Sequence, residues 1–262
     1  MNRDLYNPSH WKYSSPGEVG FHTIISPDNS ACKITRIFRL NQGKDDTCTL
    51  LDEKLELNGI VIKGELKIIS DSGAELLSRL DSFYLPSKEK VKMVFLEDSS
   101  VFIGGAPCDG KGEYFTRKYN ASLPLGNIRQ VHGKPPYRRD VFMTVAQQDS
   151  GSRLICGITA GEPGRWTSWP PHQHSRDLEE VYCYFDIPKP MSAFHFSSRK
   201  DGEFEFIHPV STGDCVIIPE GYHPTAGMPG VRSCYFWVMA AHKPESRRYD
   251  LAVNDPNFAD TL

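Results

Sequence analysis

The chain has 262 residues, a formal net charge of −3 from 30 basic and 33 acidic side chains, and seven cysteines. Its basic residues form no dominant run, which argues against nucleic acid as a partner, because neutralising phosphates requires clustered Lys and Arg. No stretch approaches 18 consecutive apolar residues, and the N-terminal MNRDLYNPSHWKYSS lacks the apolar core of a signal peptide, so no membrane span or secretion is expected. The scattered cysteines are typical of free thiols in a reducing compartment and predict a cytoplasmic location.

Short runs rich in Val, Ile, Phe and Tyr, separated by Gly, Pro, Asp and Asn, recur along the chain and predict β-strands. The clearest of these runs are residues 59–69, 90–97, 140–146, 215–219 and 234–241. Residues 72–80 (SGAELLSRL) have some helical character, but their position between two strands favours a loop or short turn equally well. The polar stretch 104–130 is expected to connect two halves of the chain.

The two halves share an internal pattern. Each contains a β run, then an Asp that leads a short apolar strand ending in Pro, then another β run. The short strand reads DSFYLP at 81–86 and DCVIIP at 214–219. Two copies of one β unit explain the length and spacing of the runs, so the sequence predicts an all-β protein built from a duplicated small barrel or sandwich.

The segment PPHQHSRDLEEVYCYF (170–185) carries the main chemical signal. Because side chains alternate along a strand, His172 and His174 point to the same face. Glu180 shares the phase of Tyr182 and Tyr184, and a turn through SRDLE brings it beside the two histidines. Glu179 is out of phase and is expected to point away from them.

His223 in PEGYHP supplies a third imidazole after a later strand. A lone HxH pair is often accidental, but HxH with a phased glutamate and a later Pro-x-Gly-x-His is much more specific. Three imidazoles and one carboxylate suit one divalent transition metal, Zn, Mn, Fe or Ni, with positions left open for water or substrate. The predicted metal ligands are His172, His174, Glu180 and His223.

These segments resemble a known family. HQHSRDLEE (172–180) and GDCVIIPEGYH (213–223) resemble the two cupin motifs, and the duplicated unit resembles a bicupin, in which two double-stranded β-helix (jelly-roll) barrels follow each other. WTSWPPHQH, VIIPEGYHPTAGMPG, the late NDP (254–256) and HGKPPYRRDV (132–141) resemble the 5-deoxyglucuronate isomerases of myo-inositol catabolism. The short loop after His174 and the AFHF around His195 are instead similar to the related 5-keto-4-deoxyuronate isomerases.

The resemblance implies an N-terminal cupin-like domain over 1–120 and a metal-binding cupin domain over 121–262. The N-terminal copy is expected to lack metal ligands, because Leu57 or a neighbour stands in place of the ligand glutamate and residues 85–91 contain no histidine. The simplest role for this copy is a structural or dimerising one, which is compatible with a homo-oligomer.

The resemblance also implies a metal-dependent aldose–ketose isomerase (an intramolecular oxidoreductase) acting on a deoxy uronic acid, most simply 5-deoxy-glucuronate to 2-deoxy-5-keto-gluconate. Tyr182 and Tyr184 are the candidate proton shuttles or hydrogen-bond donors, with core packing as the alternative. A substrate carboxylate calls for a cationic anchor, for which Arg139 is favoured over Arg138 and Lys134. His195 is either a wall of the site or a core histidine.

Two other functions are compatible with the same ligand set. An iron-dependent cupin dioxygenase uses similar ligands but favours an apolar cavity for O₂. A sugar-sensing or storage cupin is disfavoured, because the metal set is intact and no helix-turn-helix pattern accompanies it. The polarity of the cavity around the metal therefore distinguishes the isomerase from the dioxygenase.

Overall fold

The structure is a computed structural model that describes residues 4–261. This range forms 23 β-strands and three short 3₁₀ helices, Pro8–His10, Pro244–Ser246 and Pro256–Thr261, and contains no α-helix. None of these helices is long and apolar enough to cross a membrane. The all-β prediction is therefore confirmed.

The strands fall into two groups along the chain. The first group comprises β1 (Lys12–Ser14), β2 (Gly20–Ile25), β3 (Arg36–Gln42), β4 (Thr47–Leu50), β5 (Leu55–Lys63), β6 (Leu66–Ser70), β7 (Gly73–Leu77), β8 (Ser82–Leu85), β9 (Val91–Phe95), β10 (Ser99–Pro107) and β11 (Phe115–Arg117). The second group comprises β12 (Arg129–His132), β13 (Arg139–Val145), β14 (Leu154–Gly161), β15 (Trp166–Thr167), β16 (His172–Gln173), β17 (Leu178–Tyr184), β18 (Ala193–Ser197), β19 (Phe206–Val210), β20 (Asp214–Ile218), β21 (Thr225–Gly227), β22 (Cys234–Ala241) and β23 (Val253–Asn254).

Each run that was predicted to form strands does so, and the structure differs from the prediction at two places. The run 59–69 contains parts of two strands, because Gly64 adopts a φ of +83° and turns the chain between β5 and β6. Residues 72–80 were expected to form a helix, loop or turn, and this was wrong. They contain β7, which pairs with β6 as a hairpin and buries Leu77 completely. Tertiary pairing outweighs local helix propensity here.

The strands form two barrels of the same design. In the N-terminal half a six-stranded sheet (β11-β8-β5-β10-β3-β2) accompanies a four-stranded sheet (β4-β9-β6-β7). In the C-terminal half a seven-stranded sheet (β1-β20-β17-β22-β14-β13-β12) accompanies a four-stranded sheet (β15-β21-β18-β19). The order β8-β5-β10-β3 in one half matches β20-β17-β22-β14 in the other, which confirms the duplicated bicupin architecture predicted from the sequence.

The pairing registers make the two halves comparable residue by residue. Leu57 of β5 lies opposite Leu85 of β8, just as Glu180 of β17 lies opposite Ile218 of β20. Leu57 therefore stands at the place of Glu180. The chain also crosses between halves, because β1 pairs with β20 and adds Lys12–Ser14 to the C-terminal sheet.

The two large sheets pack against each other. Every residue of β17, β20 and β22 is buried, and these strands share one apolar core with Ile37, Ile60 and Phe102 of the six-stranded sheet. Close approach is required at Gly104 of β10, where an added Cβ would lie 2.6 Å from the Val238 side chain of β22. A second core fills the N-terminal barrel.

Two buried carboxylates join the halves reciprocally. Glu179 of β17 accepts backbone N–H groups of Lys33, Ile34 and Thr35 at 2.8, 2.9 and 2.5 Å. Glu56 of β5 accepts the backbone N–H groups of the equivalent segment of the other half, Ser152 (2.9 Å), Arg153 and Leu154 (2.7 Å). The register that equates Leu57 with Glu180 also equates these two glutamates. Each half therefore places one carboxylate on three amides of the other.

Candidate metal centre

Three of the four predicted ligands form a compact group inside the C-terminal barrel. The candidate ligand atoms of His174, Glu180 and His223 lie within 4.8 Å of one another, and all three side chains are buried. The Nε2 atoms of His174 and His223 are each 3.1 Å from Oε2 of Glu180. Two imidazoles and a carboxylate at this spacing could hold a metal ion.

His172 lies beside this group. Its imidazole centre is 4.8 Å from that of His223 and 6.4 Å from that of His174. His172 belongs to β16, a strand of two residues that pairs with β23, so its backbone is fixed by the late segment of the chain. The geometry places a third imidazole at the edge of the group without bringing it as close as the other two.

All three histidines are oriented in the same way. The Nδ1 atom of each lies near a backbone carbonyl oxygen, and because a carbonyl only accepts, Nδ1 must carry the proton. The pairs are His172 with Pro170 (3.0 Å), His174 with Leu178 (3.3 Å) and His223 with Gly221 (3.0 Å). This arrangement directs Nε2 of His174 and of His223 at the Glu180 carboxylate, where these ring nitrogens could bind a metal, as in metal-binding histidines.

The buried Nε2 of His223 supports a cation at this place. Among the described residues this atom has no hydrogen-bond partner, although it is close to the Glu180 carboxylate. A buried polar atom without a partner is costly. The orphaned nitrogen, the neighbouring carboxylate and the two further imidazoles together fit a transition-metal ion.

The ionisation states also suit metal binding. Burial tends to raise the pKa of Glu180, but the imidazoles of His174 and His223 outweigh it and lower this pKa to about 2. Burial, reinforced by the nearby His223, lowers the pKa of His172 to about 3. At neutral pH Glu180 is therefore a carboxylate and His172 a neutral imidazole, which are the forms that bind metals.

The adjacent glutamates diverge as strand alternation predicts. Glu180 points into the barrel, whereas Glu179 points to the opposite side of β17 and binds the amides of residues 33–35. Both carboxylates are nearly inaccessible to solvent, at 1% exposure for Glu179 and 4% for Glu180. One strand thus carries two buried charges with different partners.

A cavity of about 200 Å³ opens beside the histidines. His172, His174 and Glu180 line one part of it, and Arg139 and His132 line another. The wall also includes residues with hydroxyl groups, namely Ser168, Tyr182, Tyr235, Tyr249 and Thr159. The cavity therefore combines polar groups with apolar side chains such as Leu178, Trp237 and Met239, and it contains a cationic group together with the candidate metal ligands.

The two predicted catalytic tyrosines lie at different depths. Tyr182 lines the cavity, with its hydroxyl 3.0 Å from Oγ of Ser168. Tyr184 does not line it; its hydroxyl is 2.8 Å from Nδ1 of His195, and both residues are fully buried. Phase along β17 gives both tyrosines the same face, but the strand carries Tyr184 past the cavity into the core.

Of the predicted substrate-binding residues, only Arg139 reaches this cavity. Its guanidinium donates to the carbonyl of Trp169 at 3.0 Å, which holds it on the wall. Arg138 points elsewhere and lies 3.7 and 3.8 Å from the carboxylates of Asp140 and Glu162. Lys134 lines a neighbouring surface depression, and His195 belongs to the buried pair with Tyr184.

Several wall residues were not identified from the sequence. His132 pairs in register with Arg139, so the segment HGKPPYRRDV contained both, but only its cationic side chains were considered. Asn254 belongs to the NDP noted earlier and lines the cavity through the pairing of β23 with His172. Ser168 adopts a φ of +52°, a strained left-handed conformation for a residue with a side chain, and no sequence pattern indicated it.

Two stacked jelly-roll barrels, one with a buried His–Glu group, define this chain as a bicupin. The family model described as the KduI/IolB family matches residues 11–261, so the chain belongs to the KduI/IolB family. A 5-deoxy-glucuronate isomerase of Geobacillus kaustophilus is 27% identical, covering 90% of this chain and 88% of the relative. The corresponding enzyme of Lacticaseibacillus casei is 24% identical over 90% of this chain and 91% of the relative.

Solved structures support the fold independently. An IolB-like protein of Salmonella typhimurium superposes with a TM-score of 0.83 at 20% identity, covering 95% of this chain and 98% of the other. The oxalate decarboxylase of Bacillus subtilis, a protein with Mn(II) centres, superposes with a TM-score of 0.61 at 13% identity, covering 93% and 79%. Both similarities concern the fold.

Removing His223 tests the candidate centre. About one metal ion per chain is expected in the unsubstituted protein, and His223→Ala should hold well under half as much, because the orphaned imidazole is gone. Elemental analysis after reconstitution with Zn²⁺ or Mn²⁺ measures this. His10→Ala is the control, since His10 lies in the first 3₁₀ helix and is not part of the cavity wall. Equal metal content in the two variants would contradict the assignment.

Glu180→Gln tests the carboxylate. It removes the anion that faces two imidazoles, so affinity for Zn²⁺ should fall by about 10-fold or more. Competition with a chromogenic chelator gives the affinity. Glu220→Gln, an exposed glutamate three residues before His223, should bind Zn²⁺ as the unsubstituted chain does. Unchanged affinity of Glu180→Gln would remove Glu180 from the ligand set.

Proposed function

We propose that the protein is a metal-dependent aldose–ketose isomerase that converts 5-deoxy-glucuronate to 2-deoxy-5-keto-gluconate. The observation that carries this proposal is that one cavity is lined both by His174 and Glu180 of the buried His–Glu group and by Arg139. Membership of the KduI/IolB family and the names of the relatives agree with it. The 5-keto-4-deoxyuronate isomerase reaction is the alternative within the same reaction class.

The metal is proposed to be one divalent transition ion in the C-terminal barrel, held by His172, His174, Glu180 and His223. Zn, Mn, Fe and Ni all accept such mixed nitrogen and oxygen ligands. When bound, the ion would act as a Lewis acid toward the substrate carbonyl and the adjacent hydroxyl. The Nε2 atoms of the histidines and the ionised Glu180 are the contribution of the chain.

The reaction moves the C–H proton of the hydroxyl-bearing carbon to the neighbouring aldehyde carbon and the hydroxyl proton to the aldehyde oxygen, so that the aldehyde becomes an alcohol and the hydroxyl carbon a ketone. Burial raises the pKa of Tyr182, so its hydroxyl keeps its proton and serves as a hydrogen-bond donor to a substrate oxygen. Ser168 holds that hydroxyl at 3.0 Å. Tyr184 and His195 are proposed to support Tyr182 from behind, since neither lines the cavity.

Arg139 is proposed to hold the substrate carboxylate. A guanidinium can donate two parallel hydrogen bonds to a carboxylate. The hydrogen bond from Arg139 to the Trp169 carbonyl is made by Nη1 alone. A polyhydroxylated acid also matches the hydroxyl-bearing residues of the wall. An iron-dependent dioxygenase has no need of a cationic carboxylate anchor, so the presence of Arg139 in the cavity favours the isomerase.

The division of the chain is proposed to be functional as well as structural. Residues 1–120 are proposed as a cupin-like domain without metal ligands, and residues 121–262 as the metal-binding domain. Strand β1, from the first range, pairs within the seven-stranded sheet of the second. The seven free cysteines agree with the proposed cytoplasmic location. Self-association through the N-terminal domain remains the proposal for the oligomeric state.

The assignment is tested by incubating the metal-loaded protein with 5-deoxy-glucuronate and following the aldehyde proton by NMR. Loss of this signal with equal gain of a ketose is expected, and metal removal by a chelator should stop it. If no deoxyuronate forms a ketose despite full metal loading, the isomerase assignment fails. Oxygen consumption with iron-loaded protein would then support the dioxygenase instead.

Arg139→Ala tests the anchor. A charge-assisted hydrogen bond contributes about 1.5–3 kcal/mol, so kcat/KM should fall by roughly 10- to 150-fold, while metal content stays unchanged. Arg138→Ala is the matched control, because the neighbouring arginine faces Asp140 and Glu162 instead. An Arg139→Ala enzyme with full activity would eliminate Arg139 as the anchor.

A further inference from the structure

Glu179 is buried, lies next to the ligand Glu180, and has no partner in the metal cavity. Its carboxylate instead accepts three backbone N–H groups from residues 33–35, which precede β3 in the N-terminal barrel. The structure thus connects the metal-free barrel directly to the strand that carries a metal ligand.

Strand β17 is held in two different ways. Its neighbours β20 and β22 fix it within the sheet through ladder hydrogen bonds at Glu180 and the following residues. Displacement perpendicular to the sheet is resisted by side chains on the two faces. On the outer face next to Glu180, that resistance comes from the charge-assisted bonds of Glu179, which are stronger than neutral hydrogen bonds.

Resting on the proposed function, we propose that Glu179 is a positioning residue of the metal centre. The amides of the N-terminal barrel fix residue 179, and the next residue must place its carboxylate 3.1 Å from two imidazoles at once. Adjacent side chains on a strand share one backbone, so a displacement or twist of the backbone at Glu179 also displaces the side chain of Glu180. The metal-free barrel therefore contributes to the metal site without supplying a ligand.

The chain contains its own control for this proposal. Glu56 makes the same three amide bonds to the other barrel and receives a fourth hydrogen bond from the Tyr84 hydroxyl at 2.5 Å. The residue after Glu56 is Leu57, which stands where Glu180 stands in the other half. Loss of the Glu56 carboxylate therefore disturbs the contact between the barrels without disturbing a metal ligand.

Glutamine at either position keeps the size of the side chain but presents an NH₂ group to at least one N–H donor. That buried donor loses its partner, so both Glu179→Gln and Glu56→Gln should be less stable in urea unfolding of the metal-free protein. Only Glu179→Gln should weaken Co²⁺ binding, by about 10-fold, as substitutions behind metal ligands do. Its Co²⁺ absorption spectrum should also change, because the Glu180 carboxylate is displaced.

The experiment titrates Co²⁺ into the full-length unsubstituted protein and the two variants, with urea unfolding measured in parallel. Weaker Co²⁺ binding and an altered spectrum in Glu179→Gln, with both unchanged in Glu56→Gln, support the proposal. Equal losses of affinity in the two variants would show a general effect of stability and overturn it, as would unchanged affinity in both. Absence of Co²⁺ binding by the unsubstituted protein would overturn the metal proposal first, and this one with it.

Glu179→Asp serves if Glu179→Gln does not fold. The shorter carboxylate keeps the charge but cannot reach all three amides, so an intermediate loss of Co²⁺ affinity is expected. Co²⁺ affinity equal to that of the unsubstituted chain, in a folded Glu179→Asp with reduced stability, would assign Glu179 a purely structural role.

Discussion

Two adjacent carboxylates buried on one strand are the constraint around which this molecule is organised. A buried charge is tolerated only when it is paired and hydrogen-bonded, and strand alternation gives Glu179 and Glu180 different surroundings. Glu179 accepts hydrogen bonds from three amides of the other barrel, whereas Glu180 faces two imidazoles of its own barrel in the group that could hold a cation. Both carboxylates are buried because β17 is covered on both faces. The packing of the two large sheets against each other provides part of this cover.

Duplication explains why the same contact occurs twice, whereas residues 4–261 contain one His–Glu group that could hold a metal ion. The amide-binding glutamate is present in both halves, so it belongs to the shared design of the barrel pair. The metal ligands are not shared: Leu57 stands in place of Glu180, and the segment that leads to it, residues 47–56, contains no histidine. The corresponding N-terminal cavity, of about 250 Å³, is lined mainly by apolar side chains such as Phe38 and Leu57. The N-terminal barrel has thus kept the contact between Glu56 and the amides of residues 152–154, which joins it to the C-terminal barrel.

The sequence predicted what depends on local periodicity and left open what depends on distant packing. Alternation placed His174, Glu180 and Tyr182 on one face, and the duplicated Asp-strand-Pro pattern predicted two barrels. Alternation fixes the face of a side chain but not its depth, so Tyr182 and Tyr184 could not be distinguished. The amides that bind Glu179 are about 145 residues away in the chain, and the strand β7 exists because it pairs with β6. Neither has a local signal.

Residues 249–255, late in the chain, complete the wall of the cavity through contacts that no local sequence pattern indicates. Asp255 is buried and accepts the backbone N–H of Gly202 at 2.7 Å, and its own N–H donates to the carbonyl of Pro171 at 2.8 Å. These bonds hold Asn254 opposite His172 in the pairing of β16 with β23. Asn254 and Tyr249 thereby form part of the cavity wall. A two-residue strand such as β16 has little pairing of its own, so the orientation of His172 depends on its pairing with this late segment.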